Sequence, residues 1–199
     1  MAEIVVGVSW LEVGSVVFAV AYLVLAIRES LWCWPAALIS VTLSLVLFYD
    51  AKLYMESALQ IFYVAMAVYG WHQWLRGGAR GTGVEITRWS TRRHVLWISI
   101  VLGLSGVFGA VLTVYTDAAL PYLDSFTTIG AVVTTYMVAK KILENWLYWL
   151  VIDGVSVYLY GARGLYLYAL LFVFYLVLVV IGFRRWLALW RARASAGAA

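Results

Sequence analysis

Trp146, Trp149, Asp153, Ser156 and Tyr160 recur at i, i+3, i+7, i+10 and i+14, which puts all five on one face of a helix. An indole offers a π face to a cation and a carboxylate supplies counter-charge, so this face suits a flat, positively charged ring. Asp153 is the sharpest signal. It lies about eight residues inside an apolar run, where a carboxylate costs a few kcal/mol unless paired or hydrated. The competing reading is a helix-tying hydrogen bond to Thr135 or Tyr136. Gln60 and Tyr63 begin a second polar face, continued by Ala67 and Trp71 in ALQIFYVAMAVYGW; an interhelical bridge would equally account for the amide. Asn145, just before Trp146, is explained by helix capping. His72 and His94 stand near the ends of apolar runs, where protonatable groups are cheap, and the lone Cys33 fits no metal-ligand spacing. The chain has no phosphate-binding glycine loop, no H-E-x-x-H and no Ser, His and acid grouping at membrane depth.

The elements that must position these residues follow from composition. Of 199 residues, 65% are hydrophobic and only 12% charged, which excludes a soluble enzyme, a nucleic-acid reader and a disordered tail. Seven apolar stretches can be read as helical crossings: 10–27, 32–49, 53–75, 95–115, 121–139, 146–160 and 164–187. None alternates polar and apolar residues as a barrel strand would, so the expected class is an all-helical integral membrane protein with seven transmembrane helices. No basic residue precedes the first stretch, so it is not expected to be a cleaved signal.

With seven crossings, one side collects Arg28, Arg76, Arg80, Arg88, Arg92, Arg93, Lys140, Lys141, Arg184, Arg185, Arg191 and Arg193, twelve of the fourteen Lys and Arg residues. Lys52 and Arg163 fall on the other. Excess positive charge marks the cytoplasmic side, so the N-terminus is expected outside and the C-terminus in the cytoplasm. The connection 76–93 is expected to be a solvated, topology-setting loop, since its basic residues are scattered. Trp10, Trp89, Trp97, Trp186 and Trp190 are expected in the interfacial aromatic belts.

At an offset of 112 the chain matches itself without gaps. Trp34 aligns with Trp146, Ser44 with Ser156, Tyr54 with Tyr166, Tyr63 with Tyr175, Gly70 with Gly182 and Trp74 with Trp186. A single membrane domain, 1–199, is therefore expected to hold a first three-helix repeat over 10–75, a linker helix at 95–115 and a second repeat over 121–187, a parallel 3+1+3 arrangement. In transporters built this way the substrate sits near the axis between repeats. Positions where the copies differ in polarity are the candidates for function, because packing alone would keep both apolar: Asp153 opposite Val41, Trp149 opposite Ala37, Gln60 opposite Phe172, Tyr168 opposite Glu56. Trp146, Trp149 and Asp153 are expected to form one wall of a site, with Gln60 and Tyr63 facing it.

The segments WCWPAALISVTLSLVLFYDAKLYMESALQIFYVAMAVYGWHQW, 32–74, and DSFTTIGAVVTTYMVAKKILENWLYWLVIDGVSVYLY, 124–160, resemble the PnuC family of vitamin transporters. Its most specific marks are WxxW at Trp146 and Trp149, the preceding Asn145 and YGWxxW ending at Trp74. The resemblance implies three-helix repeats similar to those of the SWEET sugar transporters. It also implies uptake of nicotinamide riboside across the inner membrane by facilitated diffusion, with trapping by cytoplasmic phosphorylation. Related members carry thiamine or riboflavin, so the vitamin stays open; Tyr168 departs from the smaller residue of the family's pattern. A vitamin and membrane lipid are the expected partners, a homo-oligomer is compatible, and neither nucleic acid nor any cofactor or metal is implied. A membrane enzyme would need a second ionisable group at midplane depth, and none is found; a non-transport assembly protein would bind no vitamin.

The charge division makes a topological prediction. A Gly78→Cys variant on a Cys33→Ser background should resist an impermeant thiol reagent added outside sealed cells and react after permeabilisation; external labelling would reverse the orientation.

Overall fold

The computed structural model describes residues 10–50, 54–78, 81–117, 120–162, 164 and 166–196. Lys52, Arg80 and Arg163, used above to set topology, lie outside the described residues, as does the side chain of Glu56. Seven helices follow the seven apolar stretches: α1 (Trp10–Ile27), α2 (Cys33–Asp50), α3 (Tyr54–Arg76), α4 (Thr91–Tyr115), α5 (Pro121–Ala139), α6 (Asn145–Ala162) and α7 (Tyr166–Ala196). Among the described residues no strand occurs beyond an isolated bridge between Thr87 and Ile142. Helices α1, α2, α4 and α7 are long and apolar enough to cross a membrane by composition alone. Helix α6 is diluted by Asn145, Asp153 and its tyrosines and tryptophans, the same residues that drew attention as chemistry.

Two helix ends depart from the hydropathy reading. Helix α4 starts at Thr91 rather than 95, with Arg92, Arg93 and His94 in its first turn. Helix α7 runs to Ala196 rather than 187. Hydropathy falls at Arg184 and Arg185, but Arg, Leu and Ala are good helix formers, and nothing between 184 and 196 breaks the backbone.

The chain divides into two compact units, one up to Gly83 and one from Val84. In the first, α2 packs against both α1 and α3; in the second, α6 packs against both α5 and α7, while α4 lies on α5. Residues 112 apart make the same local bonds. Glu29 N–H donates to Ala26 at 3.0 Å and Lys141 N–H to Val138 at 2.9 Å; Ser30 donates to Leu25 and Ile142 to Met137, at 3.0 and 2.9 Å. Both turns pass through a left-handed residue, Glu29 at φ 53° and Lys141 at φ 49°, which is how a helix closes its last carbonyls before reversing. At the other ends of α1 and α5, Ser15 Oγ donates to the Glu12 carbonyl at 2.9 Å and Thr127 Oγ1 to that of Asp124 at 3.0 Å.

Each unit is centred on a crossed pair of indoles. Trp34 meets Trp74 edge to face at 5.5 Å and 90°, and Trp146 meets Trp186 at 5.3 Å and 87°. All four rings are buried. Trp186 thus belongs to the interior and not to an interfacial belt, because its ring is the face on which Trp146 rests. The indoles of Trp34 and Trp146 reach their partners by lying over Gly70 and Gly182, where a Cβ would collide with the six-membered ring.

The connection between the units is not a uniformly solvated loop. Ile86 is buried, Thr87 N–H donates to Lys141 O at 3.0 Å, and Leu143 N–H donates to Thr87 O at 2.8 Å. Residues 86–89 are therefore strapped to the turn between α5 and α6, using backbone groups that a helical hairpin leaves unpaired.

The glycine notches set a stability test. Gly70→Ala and Gly182→Ala should each destabilise the purified protein by about 1–3 kcal/mol through overpacking, lowering the thermal midpoint. Gly103→Ala and Gly106→Ala, on α4 with nothing within 4 Å of the added carbon, should not lower it.

Candidate functional site

Helix α6 presents the spaced residues as one inward face. Trp146, Asp153 and Ser156 are buried and Trp149 and Tyr160 half-buried, whereas Leu147, Leu150, Val151 and Tyr158 between them are exposed. Within the face the residues have different duties. Trp146 is committed to packing against Gly182 and Trp186. Ser156 Oγ is spent on its own helix, donating to Ile152 O at 2.9 Å. Trp149 meets no aromatic ring among the described residues, so its π face is the one left for a ligand. Asp153, 4% exposed, does not take the bond anticipated from Thr135, whose hydroxyl donates to Ala131 O at 2.8 Å.

Two further polar atoms on this face are unclaimed. Asn145 is wholly buried, and its Nδ2 donates to Ile142 O at 2.6 Å. That bond leaves Oδ1 without a partner among the described residues. A capping side chain would accept from a backbone N–H, so capping is not what Asn145 does. The adjacent Trp146 Nε1 is also buried and unpartnered. Buried polar groups are almost always paired, and one that is not invites a ligand or water as explanation. An acceptor and a donor on consecutive residues are what a carboxamide or a similar donor–acceptor edge would satisfy.

The other unit shows what the same scaffold looks like without this chemistry. There Asn145 is matched by Cys33, Trp149 by Ala37 and Asp153 by Val41, while Trp34 keeps the packing role and a likewise unpartnered Nε1.

Not every expected residue joins this face. Gln60 and Tyr63 are half-buried on α3, in the first unit, and Tyr63 lies edge-on to Phe62 at 5.5 Å. Tyr168 stands 47% exposed at the start of α7, stacked on Tyr160 at 5.5 Å. Tyr160 is some fifteen residues along α6 from Asn145, roughly 22 Å, so Tyr168 is no neighbour of the Asn145–Trp146 pair.

A separate charged cluster lies where α5 turns into α6. Arg88 Nε bonds Glu144 Oε1 at 2.6 Å and Trp89 N–H donates to Oε2 at 3.3 Å. His94 Nδ1 is 2.9 Å from the Tyr148 hydroxyl. The Arg88 guanidinium also sits 5.4 Å above the ring of Trp190, and Trp89 stacks on Trp97 at 6.0 Å. Trp89 and Trp190 thus have specific partners beyond a belt position. The cluster gathers the 76–93 connection, the α5–α6 turn and the end of α7, three stretches the charge count assigned to one side. Among the described residues no group of His, Cys, Asp and Glu could hold a metal ion.

Comparisons with known proteins identify the family. The family described as nicotinamide mononucleotide transporter matches residues 9–188. The chain belongs to that family. The nicotinamide riboside transporter PnuC of Escherichia coli strain K12 is 26% identical over 94% of this chain and 89% of its own length. The riboflavin/roseoflavin transporter RibM of Streptomyces davaonensis is 29% identical over 90% of this chain and 85% of its own. The crystal structure of the vitamin B3 transporter PnuC superimposes with a TM-score of 0.71 at 25% identity, covering 91% of this chain and 82% of that one. The protein is a multi-pass membrane transporter of a small molecule, and the described residues carry the helices of that fold.

The strap makes its own prediction. Glu144→Gln should weaken the clasp by about 1 kcal/mol, since Arg88 is largely exposed and such pairs are modest. Hydrogen exchange at the Thr87 and Leu143 amides should then quicken several-fold, with exchange in α1 to α3 unchanged.

Proposed function

We propose that this chain takes up nicotinamide riboside by facilitated diffusion across the cytoplasmic membrane, N-terminus outside, with phosphorylation in the cytoplasm trapping the product. The observation that carries the reading is the unclaimed polarity of α6: Asn145 Oδ1 and Trp146 Nε1 without partners, and Asp153 buried two turns on. Nicotinamide riboside is a cationic pyridinium bearing a carboxamide and a neutral ribose. Its amide would give a hydrogen to Asn145 Oδ1 and accept one from Trp146 Nε1, its ring would lie on Trp149, and Asp153 would balance the positive charge. The two PnuC relatives carry a molecule of this class by name, which supports the choice.

Gln60 and Tyr63 stay assigned to recognition on the polarity argument alone, as the first repeat's contribution within a 3+1+3 arrangement. Tyr168 is assigned to the outer mouth, where an exposed ring is the first surface an aromatic vitamin would meet. Riboflavin is the second reading, favoured by the 29% identity to the riboflavin/roseoflavin transporter. Thiamine has no comparable observation behind it. The two leading readings separate on charge, because riboflavin's ring is neutral and gains nothing from a carboxylate.

Calorimetry on the purified protein with nicotinamide riboside, its mononucleotide, thiamine and riboflavin should show the riboside binding with the highest affinity. Trp149→Ala should weaken it by roughly two- to thirtyfold, the range of about 0.5–2 kcal/mol for a cation on an indole. Trp10→Ala, 89% exposed, should leave it unchanged. Asp153→Asn should reduce affinity for the riboside and not for riboflavin. Tight riboflavin binding indifferent to Asp153→Asn would replace the riboside reading with the second.

The unpartnered indoles give a paired test. Trp34→Phe and Trp146→Phe remove the same N–H from the same packing environment, so their effects on the thermal midpoint should be similar. Only Trp146→Phe should weaken riboside binding. Equal losses of binding would mean that the donor on Trp146 has no ligand role of its own.

A further inference from the structure

One backbone carbonyl joins the strap at residues 86–89 to the vitamin face of α6. Thr87 N–H donates to Lys141 O at 3.0 Å and Thr87 O accepts from Leu143 N–H at 2.8 Å, so the peptide groups on both sides of Ile142 are tied to a single strap residue. The Ile142 side chain belongs to a buried cluster with Val101, Val133 and Met137. Two residues on, Arg88 Nε and Trp89 N–H hold the Glu144 carboxylate at 2.6 and 3.3 Å. The Ile142 carbonyl is thereby fixed, and Asn145 spends its donors on it: the oxygen accepts from the Asn145 backbone N–H at 3.1 Å and from Nδ2 at 2.6 Å.

A side-chain amide can rotate about its last bond and exchange its oxygen with its nitrogen. Rotated in that way, Asn145 would set Oδ1 against the Ile142 oxygen, acceptor on acceptor. The fixed carbonyl therefore leaves Oδ1, the group without a partner among the described residues, as the one Asn145 turns to a ligand. That oxygen can only accept.

We propose, on the riboside reading of the site, that the strap aims Asn145 and so makes the site select a pyridine carboxamide over the matching carboxylate, with Thr87 as a positioning residue. A carboxamide gives Oδ1 a hydrogen. A carboxylate has none to give and sets a negative oxygen against a buried acceptor. When the turn is released from the strap, the side chain can rotate and offer Nδ2, which donates to a carboxylate, and the preference fades.

Asn145 is the only asparagine in the chain, so protein grown on nitrogen-15-labelled asparagine shows one side-chain amide, whose proton exchange NMR follows with no ligand present. Exchange should be slow in the parent and at least about tenfold faster in Thr87→Pro, which lacks the N–H given to Lys141. Glu144→Gln should quicken it less and Gly103→Ala should leave it slow. By calorimetry the parent should bind nicotinamide riboside at least about tenfold more tightly than nicotinic acid riboside. Thr87→Pro should narrow that ratio at least about threefold, and Glu144→Gln should narrow it in the same direction. Trp149→Ala should weaken both ligands alike and preserve the ratio. If Thr87→Pro does not fold, Glu144→Gln carries both measurements. Unchanged amide exchange in the strap variants would overturn the proposal. So would equal losses of affinity for the two ribosides, the mark of a clasp that only stabilises. Exchange that quickens with Thr87→Pro in a chain that binds neither riboside would uphold the aiming of Asn145 and sink the riboside reading alone.

Discussion

An indole laid over a glycine is the contact on which each three-helix packing turns. Lipid is as apolar as leucine, so helices in a bilayer gain little by hiding leucine from it; close fit must hold them instead. Gly70 and Gly182 let Trp34 and Trp146 come down onto the backbone of the neighbouring helix, and Trp74 and Trp186 receive them edge to face. The spacing of α2 from α3, and of α6 from α7, is set at those two points. Everything carried on α6, from Asn145 to Tyr160, is positioned by the second of them.

That dependence explains how one scaffold yields a packing unit and a polar one. The backbone turn, the left-handed conformation and the crossed indoles are the same at positions 112 apart, while side chains along the inward face of α6 differ from their counterparts on α2, among them Asn145 for Cys33, Trp149 for Ala37 and Asp153 for Val41. Each exchange adds a polar or aromatic group where packing asks for none. A buried carbonyl acceptor and an indole donor left unpaired would weaken an apolar core.

Much of this could be read from the sequence, for identifiable reasons. Helix positions followed from apolar runs, and the offset of 112 exposed Trp, Tyr and Gly pairs that composition would not produce by chance. The inward face of α6 followed from 3.6-residue periodicity. What escaped depended on partners far away in sequence. Nothing in the neighbourhood of Trp186 says that its ring receives Trp146, so a belt position was the natural expectation. The strap at residues 86–89 rests on backbone groups pairing with a turn more than fifty residues on, which no local pattern encodes. The end of α7 was missed because hydropathy reports where lipid stops, and a helix does not stop there. Asn145 was taken for a cap because its place at a helix start is right; only the direction of its hydrogen bond shows otherwise.

The crossed indoles are also chromophores. Two rings held about 5.3–5.5 Å apart and near a right angle couple their excited states, and the coupling endures only while the helices that carry them stay docked. The chain therefore contains two internal optical reporters, one in each unit, placed by the sequence at its own points of closest approach. Near-ultraviolet circular dichroism would read their integrity in detergent or lipid with no label added. A protein whose activity needs a sealed compartment to measure can thus be judged intact in a cuvette.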